Sequence, residues 1–309
     1  MAWATFSSNV TGRAWGRGVS VADISGGHGQ EVAASVPRSG YSVSLGFDEN
    51  YREMDNRPPT APIIRVGYPD APGVVTRRRE MAADFHIEPH WHERAQLLYA
   101  SHGVMRVSTP RRLWLVPPTR ALWIPARVVH EIRMGTAVDM RSLYIDASLL
   151  PGMPADCAVL EVTPLMRELV VRVSETPPRG GPDHELLSAL LLKELSRLPP
   201  RGFDLPLPES ASLRALCEAL LADPSLGPSP DQAAARLGVS ARTLYRRFLE
   251  ETGLSYVRWA QQARLLEAVR RLAEGQPVTT VALDLGYQSP SAFTAMFRRQ
   301  LGRPPRRWR

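Results

Sequence analysis

Lysine is almost missing from this chain. Lys193 is the only one among 38 basic residues, and the remainder are arginine. Cysteine is nearly as scarce: Cys157 and Cys217 are the only two, far apart and outside any motif. That excludes a disulfide scaffold and a cysteine-based zinc site, and leaves two reduced structural thiols as the expectation. No apolar run is long enough to span a bilayer, and the first thirty residues lack the uninterrupted apolar core of a secretory signal. Cytoplasmic residence is therefore expected. Acidic residues number 31 against the 38 basic ones, a net charge of +7. That imbalance favours a polyanionic partner, of which nucleic acid is the commonest.

A length of 309 residues suits two domains with connections. Residues 1–55 are rich in Gly and Ser, without sustained periodicity, and read as a disordered extension. Met54 is an alternative first residue. Residues 56–150 carry short apolar runs broken by turn signals. Strands are expected over 95–100, 104–108, 113–116, 121–124, 128–134 and 138–145, punctuated by Gly103, Pro110, Pro117-Pro118, Pro125 and Gly135. Many short strands at close spacing predict a small barrel or jelly roll. Residues 151–200 read as helical, with helices over 164–174 and 184–198 and Asp183 as N-cap of the second. That second helix is apolar nearly all round and must bury two faces. One face is assigned to the barrel and the other, with Leu187 and Leu191, to a second copy of the chain or to the core of the same chain. The proline-rich segment 201–209 reads as a linker.

From residue 210 to the end the pattern is all helical. Ser229-Pro230-Asp231-Gln232 opens a short helix with a capping box and a proline at the first helical position. Gly238-Val239-Ser240 makes a tight turn, and Ser240 caps the next helix. Ala234 permits a close helix crossing, while Leu237, Val239, Leu244 and Phe248 supply a shared core. The second helix keeps an outward face of Arg242, Thr243, Tyr245, Arg246 and Arg247, polar and cationic as the major groove requires. A long helix follows over about 255–274. The pattern then recurs: Ala282 matches Ala234, Gly286 matches Gly238, and Phe293 and Phe297 match Leu244 and Phe248. Two such units joined by one rigid helix suit recognition helices about one turn of B-DNA apart, roughly 34 Å.

This region resembles the AraC/XylS family of bacterial transcription regulators over about its last 100 residues. The resemblance rests on residues 233–240 (AAARLGVS), 244–248 (LYRRF), 282–287 (ALDLGY), 289–293 (SPSAF), 297–299 (FRR) and 302–305 (GRPP). It implies base-facing residues Arg242, Tyr245 and Arg246 in the first unit and Ser291, Ala292, Thr294 and Ala295 in the second. The second set is poor in long donors, so Arg298 and Arg299 are expected to grip phosphate. The implied partners are double-stranded DNA, RNA polymerase, a small-molecule or metal effector, and a second copy as homodimer, with no membrane. The final helix of the family is expected to be short or frayed here.

His90-Trp91-His92, followed by Gln96 and Gly103 and later by His130, resembles the cupin fold. Alternate strand residues share a face, so His90 and His92 converge as a metal site requires. Three departures stand out: Gln96 in place of a glutamate, Arg127 where glycine is typical, and Met134 where asparagine is. Three readings stay open. His90, His92 and His130 hold one divalent metal (zinc, nickel or iron), with Gln96 a weak ligand; or they bind an organic effector without metal; or they only pack. The fold class expected is therefore α+β: a cupin-like β-barrel with flanking helices, then two helix-turn-helix units. The function expected is an effector-responsive, sequence-specific regulator rather than an enzyme. A metal-dependent cupin enzyme fused to a DNA-binding domain and an architectural DNA-bender are the alternatives.

Overall fold

The computed structural model describes residues 34–35, 42–45, 64–66, 73–176, 181–200, 204–224 and 228–308. The rest of the extension expected over 1–55 lies outside the described residues, apart from two short strands, β1 (Ala34–Ser35) and β2 (Ser42–Leu45). The strands that follow are β3 (Ile64–Val66), β4 (Val74–Met81), β5 (His86–Trp91), β6 (Ala95–His102), β7 (Met105–Ser108) and β8 (Arg112–Val116). Then come β9 (Arg120–Ile124), β10 (His130–Met134), β11 (Val138–Ile145), β12 (Ala158–Glu161) and β13 (Asp204–Pro206). They form two sheets. One has eight strands in the order β1-β2-β3-β5-β10-β7-β8-β13, and the other five in the order β12-β9-β6-β11-β4. All six strands expected from the apolar runs are present, β4 and β12 were not foreseen, and β5 was read only through its histidines.

The five-stranded sheet is buried on both faces, which is why β6 reads as a continuous apolar run. Leu98 and Ala100 point into the space between the sheets, where they meet Val107, Val116, Ile124, Ile132 and Met140. Leu97 and Tyr99 point the other way, onto α1 (Pro164–Glu175) and α2 (Pro182–Leu195). Gly103 turns the chain after β6 at φ +82, and a Cβ there would collide with the Ala137 carbonyl oxygen, so only glycine fits.

The second helix departs from its sequence reading. It ends at Leu195, and its N-cap is Gly181; Asp183 lies inside the first turn, where its carboxylate favours the helix N-terminus by charge rather than as a cap. The faces are also reassigned. His184, Ser188, Leu191 and Leu195 are buried against α1 and the sheet, and Leu187 packs on the same core. The open side presents Leu186, 71% exposed, and Leu190, 43% exposed. Leu191 is one position round from the open face, a distinction that an all-round apolar sequence cannot make.

The segment read as a linker is a structural element. β13 pairs with β8 on the edge of the large sheet, and Arg112 holds Asp204 at 2.6 Å. Leu205 and Leu207 are buried in the core of the helical domain beside Leu113 of β8. The helical domain comprises α3 (Ala211–Ala222), α4 (Pro230–Arg236), α5 (Ala241–Thr252), α6 (Tyr256–Ala273), α7 (Val278–Asp284) and α8 (Pro290–Leu301). Trp259 of α6 donates its indole N–H to the Pro206 carbonyl at 2.6 Å, and Arg214 of α3 reaches the Pro110 carbonyl. On the far side Arg303 pairs with Glu161 of β12, and the Arg120 guanidinium lies 4.9 Å over the Trp308 ring. Sheet and helical domain thus share one apolar core where a proline-rich linker was expected.

Among the described residues no helix is long and apolar enough to cross a membrane.

Leu205→Ala should therefore cost about 2–5 kcal/mol, the usual range for emptying a fully buried leucine site, although residue 205 precedes the first helix of the helical domain. Urea unfolding followed by tryptophan fluorescence and far-UV dichroism should shift together. A loss confined to one domain, with the other unfolding unchanged, would contradict the shared core.

Candidate functional sites: a histidine cluster and two recognition helices

His90 lies near the end of β5, His92 just beyond it, and His130 opens β10. His90 and His130 are direct partners in the β5–β10 ladder. The next pair is Ile132 with Ile87, so two residues of β5, Glu88 and Pro89, lie opposite one of β10, Glu131. Such a bulge re-aims a side chain, and here it turns both Ile87 and His90 toward the space between the sheets. Pro89 sits within it, where a missing N–H is tolerated.

The three imidazoles are buried, at 7%, 0% and 1% exposure for His90, His92 and His130. One ligand atom from each can be chosen so that all lie within 4.8 Å of one another. Each ring commits Nδ1 to a backbone carbonyl: His90 to Glu88 at 2.8 Å, His92 to Arg94 at 2.5 Å, and His130 to Val128 at 2.9 Å. An Nδ1–H donated to a carbonyl leaves the lone pair on Nε2, which is how ligating histidines are oriented by their surroundings. His130 Nε2 is buried with no hydrogen-bond partner. Burial, followed by the neighbouring imidazoles, pushes the His130 pKa well below its usual value; burial above all holds His90 down at about 4. All three rings are neutral at neutral pH, as metal ligation requires.

Gln96 faces the same space from β6. Its amide nitrogen donates to Ser142 Oγ at 2.9 Å and to Tyr144 OH at 3.4 Å, which turns Oε1 toward His92 Nε2 at 3.0 Å. With Nδ1 of His92 already a donor, its Nε2 lone pair is met either by the Gln96 amide N–H, with Oε1 accepting from Ser142 and Tyr144, or by a cation shared with Oε1. The donor set therefore fits a divalent metal: three neutral imidazole nitrogens and an amide oxygen. Ser142 and Tyr144 were missed by sequence reading; their signal was the alternation along β11, which puts both on the face of the histidines. Arg127 explains itself here. It takes φ +64, the left-handed conformation that makes glycine the usual residue, and its backbone N–H donates to the His92 carbonyl at 2.9 Å. Met134, in the place of an asparagine, is packed in the core between the sheets.

The helical units form as their caps dictate. Ser229 and Gln232 close a reciprocal capping box at α4, Ser240 caps α5, Ser255 caps α6 and Ser289 caps α8. Gly238 and Gly286 take φ of +64 and +80 in the two turns, where L side chains are strained. α6 carries both units. Tyr256, Trp259, Ala263 and Leu266 pack with the first, while Leu265, Ala268, Val269 and Leu272 pack with the second. Its 18 residues span about 27 Å at the α-helical rise.

α5 buries Leu244, Phe248 and Thr252, leaving Arg242, Tyr245 and Arg246 exposed. Thr243 is half-buried and its hydroxyl bonds Ser240 Oγ at 2.9 Å, so it belongs to the cap as well as to the surface. α8 buries Phe293, Met296 and Phe297, leaving Ser291, Ala292, Ala295, Arg298 and Arg299 exposed, with Thr294 half-buried. The chain's last turn is a short 3-10 segment, Pro305–Trp308, whose Trp308 ring packs 5.8 Å from Phe297.

Two family descriptions match the chain: an AraC-like ligand binding domain over residues 72–222, and a helix-turn-helix domain over residues 233–309. The HTH-type transcriptional regulator NimR of Escherichia coli is 34% identical over 221 residues, 71% of this chain and 81% of that protein. The regulator RipA of Corynebacterium glutamicum is 37% identical over 100 residues, 32% of this chain and 30% of that protein. Among solved structures, ToxT of Vibrio cholerae aligns over 76% of this chain and 97% of its own, at 9% identity and a TM-score of 0.33. The chain belongs to the AraC family of transcription regulators, with an N-terminal ligand-binding domain and a C-terminal helix-turn-helix domain.

Proposed function

We propose that this regulator reads a specific DNA sequence through α5 and α8, and that its response is set by a divalent metal held between the two sheets. The single observation that carries the metal reading is the buried, unpartnered Nε2 of His130, in reach of His90 and His92. Leaving such a nitrogen unmet costs about 1–3 kcal/mol, and a metal ion recovers it. His90, His92 and His130 are the ligands, Gln96 Oε1 is a weak one, and the backbone carbonyls at their Nδ1 atoms fix the rings. Bound metal supplies a Lewis-acidic centre to which an effector group can attach; the protein's part is sensing rather than turnover. Zinc, nickel and iron(II) all accept imidazole.

Elemental analysis of protein purified without an affinity tag should find about one equivalent of metal. After chelation, returning metal at a hundredfold excess over Kd should raise stability by about 2.7 kcal/mol. His92→Ala should abolish that gain. Wild type that neither carries metal nor responds to it would leave the cluster to a metal-free effector.

Arg246 reads a base and Arg298 holds phosphate. Arg246→Ala should cost about 1–3 kcal/mol at the cognate site and relax specificity at one position. Arg298→Ala should weaken all sequences evenly and lower the salt slope by about one unit. Binding to a randomised operator library separates the two; identical profiles would refute the assignment.

The exposed apolar side of α2, with Leu186 and Leu190, is the surface on which two copies pair. A double replacement, Leu186→Glu with Leu190→Glu, should give monomers in sedimentation while the β-domain stays folded, since neither side chain lies in the core. Persistence of dimers would place the contact elsewhere.

A further inference from the structure

The two helix-turn-helix units share a scaffold and differ at the surface. Ser240 caps α5 and Ser289 caps α8, and each helix runs for 12 residues to a left-handed glycine, Gly253 or Gly302. Counted from the caps, Leu244 and Phe248 of α5 stand where Phe293 and Phe297 stand in α8, and all four are buried. The same count puts Ser291 in the place of Arg242, Ala292 in that of Thr243, Thr294 in that of Tyr245 and Ala295 in that of Arg246. Every long side chain among these four positions of α5 has a short counterpart in α8.

The short side chains are confined to the first two turns of α8. Ser291, Ala292 and Ala295 are exposed there, whereas the exposed residues of the last turn, Arg298, Arg299 and Gln300, are long. Residues three and four apart share a side of a helix. Ser291, Ala292 and Ala295 therefore form one surface, and Arg298 and Arg299 continue it about 5.4 Å further along. Neither alanine belongs to the core that Phe293, Met296 and Phe297 form with α6 and α7. Helix stability does not account for them either. The Ser289 cap, Pro290 in the first turn and Gly302 at the end already define this helix, and arginine and glutamine are nearly as good helix formers as alanine.

A recognition helix meets base edges with its N-terminal residues. A face without long donors cannot form the bidentate pairs that read guanine or adenine. The hydroxyls of Ser291 and Thr294 both donate and accept, so they impose no one base. What remains is a pair of methyl groups at close approach. Thymine alone among the four bases carries a methyl group on the major-groove edge. Opposite an alanine, the amino group of cytosine or adenine would lose water without gaining a partner.

We propose that Ala295, with Ala292 beside it, is a specificity-determining residue: α8 selects thymine in its segment of the operator by apolar contact with the C5 methyl group, while α5 reads its own segment by hydrogen bonds. This rests on the reading of DNA through α5 and α8 proposed above, and adds which base α8 takes and by what contact. Arg298 and Arg299 hold the backbone from the following turn, and the short side chains before them let the helix lie close to the groove floor.

The full-length protein is used to select operators from a randomised duplex library. Arg246→Ala, which relaxes the α5 segment, identifies that segment; selected positions about one turn of DNA away belong to α8 and should be rich in thymine. Replacing one of those thymines by uracil removes only the methyl group. Each such replacement should weaken binding about fourfold, the worth of one buried methyl-sized group. Ala295→Gln should move the preference at one base pair from thymine to adenine, which glutamine reads through N6 and N7, and should make binding indifferent to uracil there. Its Tm should equal that of wild type, because residue 295 is exposed. The inference is overturned if uracil binds as well as thymine throughout the α8 segment, or if Ala295→Gln selects the wild-type operator. It is also overturned if the α8 segment shows no base preference while the α5 segment does, an outcome that leaves the reading by α5 intact. Absence of sequence preference in both segments overturns the DNA-reading proposal itself, and this inference with it.

Discussion

The seating of Leu205 and Leu207 between the large sheet and the helical domain is the contact on which the arrangement of this molecule depends. The chain leaves α2, adds a strand to the edge of the sheet, and then enters α3. Because β8 sends Trp114 and Val116 to one side and Leu113 and Leu115 to the other, a single strand belongs to two cores. The result is a stack: α1 and α2, the small sheet, the inter-sheet core, the large sheet, and the helix-turn-helix units. Closely packed interiors transmit displacement because they have little void to absorb it. A change in the spacing of the two sheets therefore has a physical route to α3 and α6 through the packed Leu113, Leu205 and Leu207, beside the cavity at that interface rather than across it.

β10 is the element on which that route can be followed. At its start His130 faces His90 and His92, and at its other end Arg133 faces the cavity against α6. The two faces of one strand thus serve two different neighbourhoods, one of neutral buried imidazoles and one of outward charges, Glu131 and Arg133. The bulge in β5 is the price of the first: without its extra residue, His90 and Ile87 would point to opposite faces. The left-handed Arg127, which holds the His92 carbonyl, is a second local cost accepted at the same place.

Much of the helical domain was legible residue by residue. Serine caps, a proline at the first helical position, turn glycines and an apolar repeat are local signals, satisfied within four or five residues of chain. They placed α4, α5, α7 and α8 to within a residue or two, and the outward Arg242, Tyr245 and Arg246 followed from which positions the core consumed. The histidine cluster was legible in part. Alternation put His90 and His92 on one face, and the cupin resemblance brought in His130. Ser142 and Tyr144 stayed hidden, because a polar residue in a mostly apolar strand carries no mark of the partner across the sheet. β13 was hidden for a related reason: Pro206, with Pro208 just after the strand, resembles the prolines of a linker, and an edge strand tolerates it.

What the sequence by itself determined is the local and periodic: the helix-turn-helix units, most strands of the β-domain, and the pairing of imidazoles along β5. Backbone preferences and side-chain alternation act over a few residues, so they survive without knowledge of the fold. What only the tertiary structure decided is which of several equivalent apolar faces is covered. Leu186 and Leu190 are open while Leu187 and Leu191 are not, and Arg106 meets Arg133 although 26 intervening residues separate them in the chain. Such choices depend on the sheet that packs opposite and on the register of strands distant in sequence, and no local pattern encodes either.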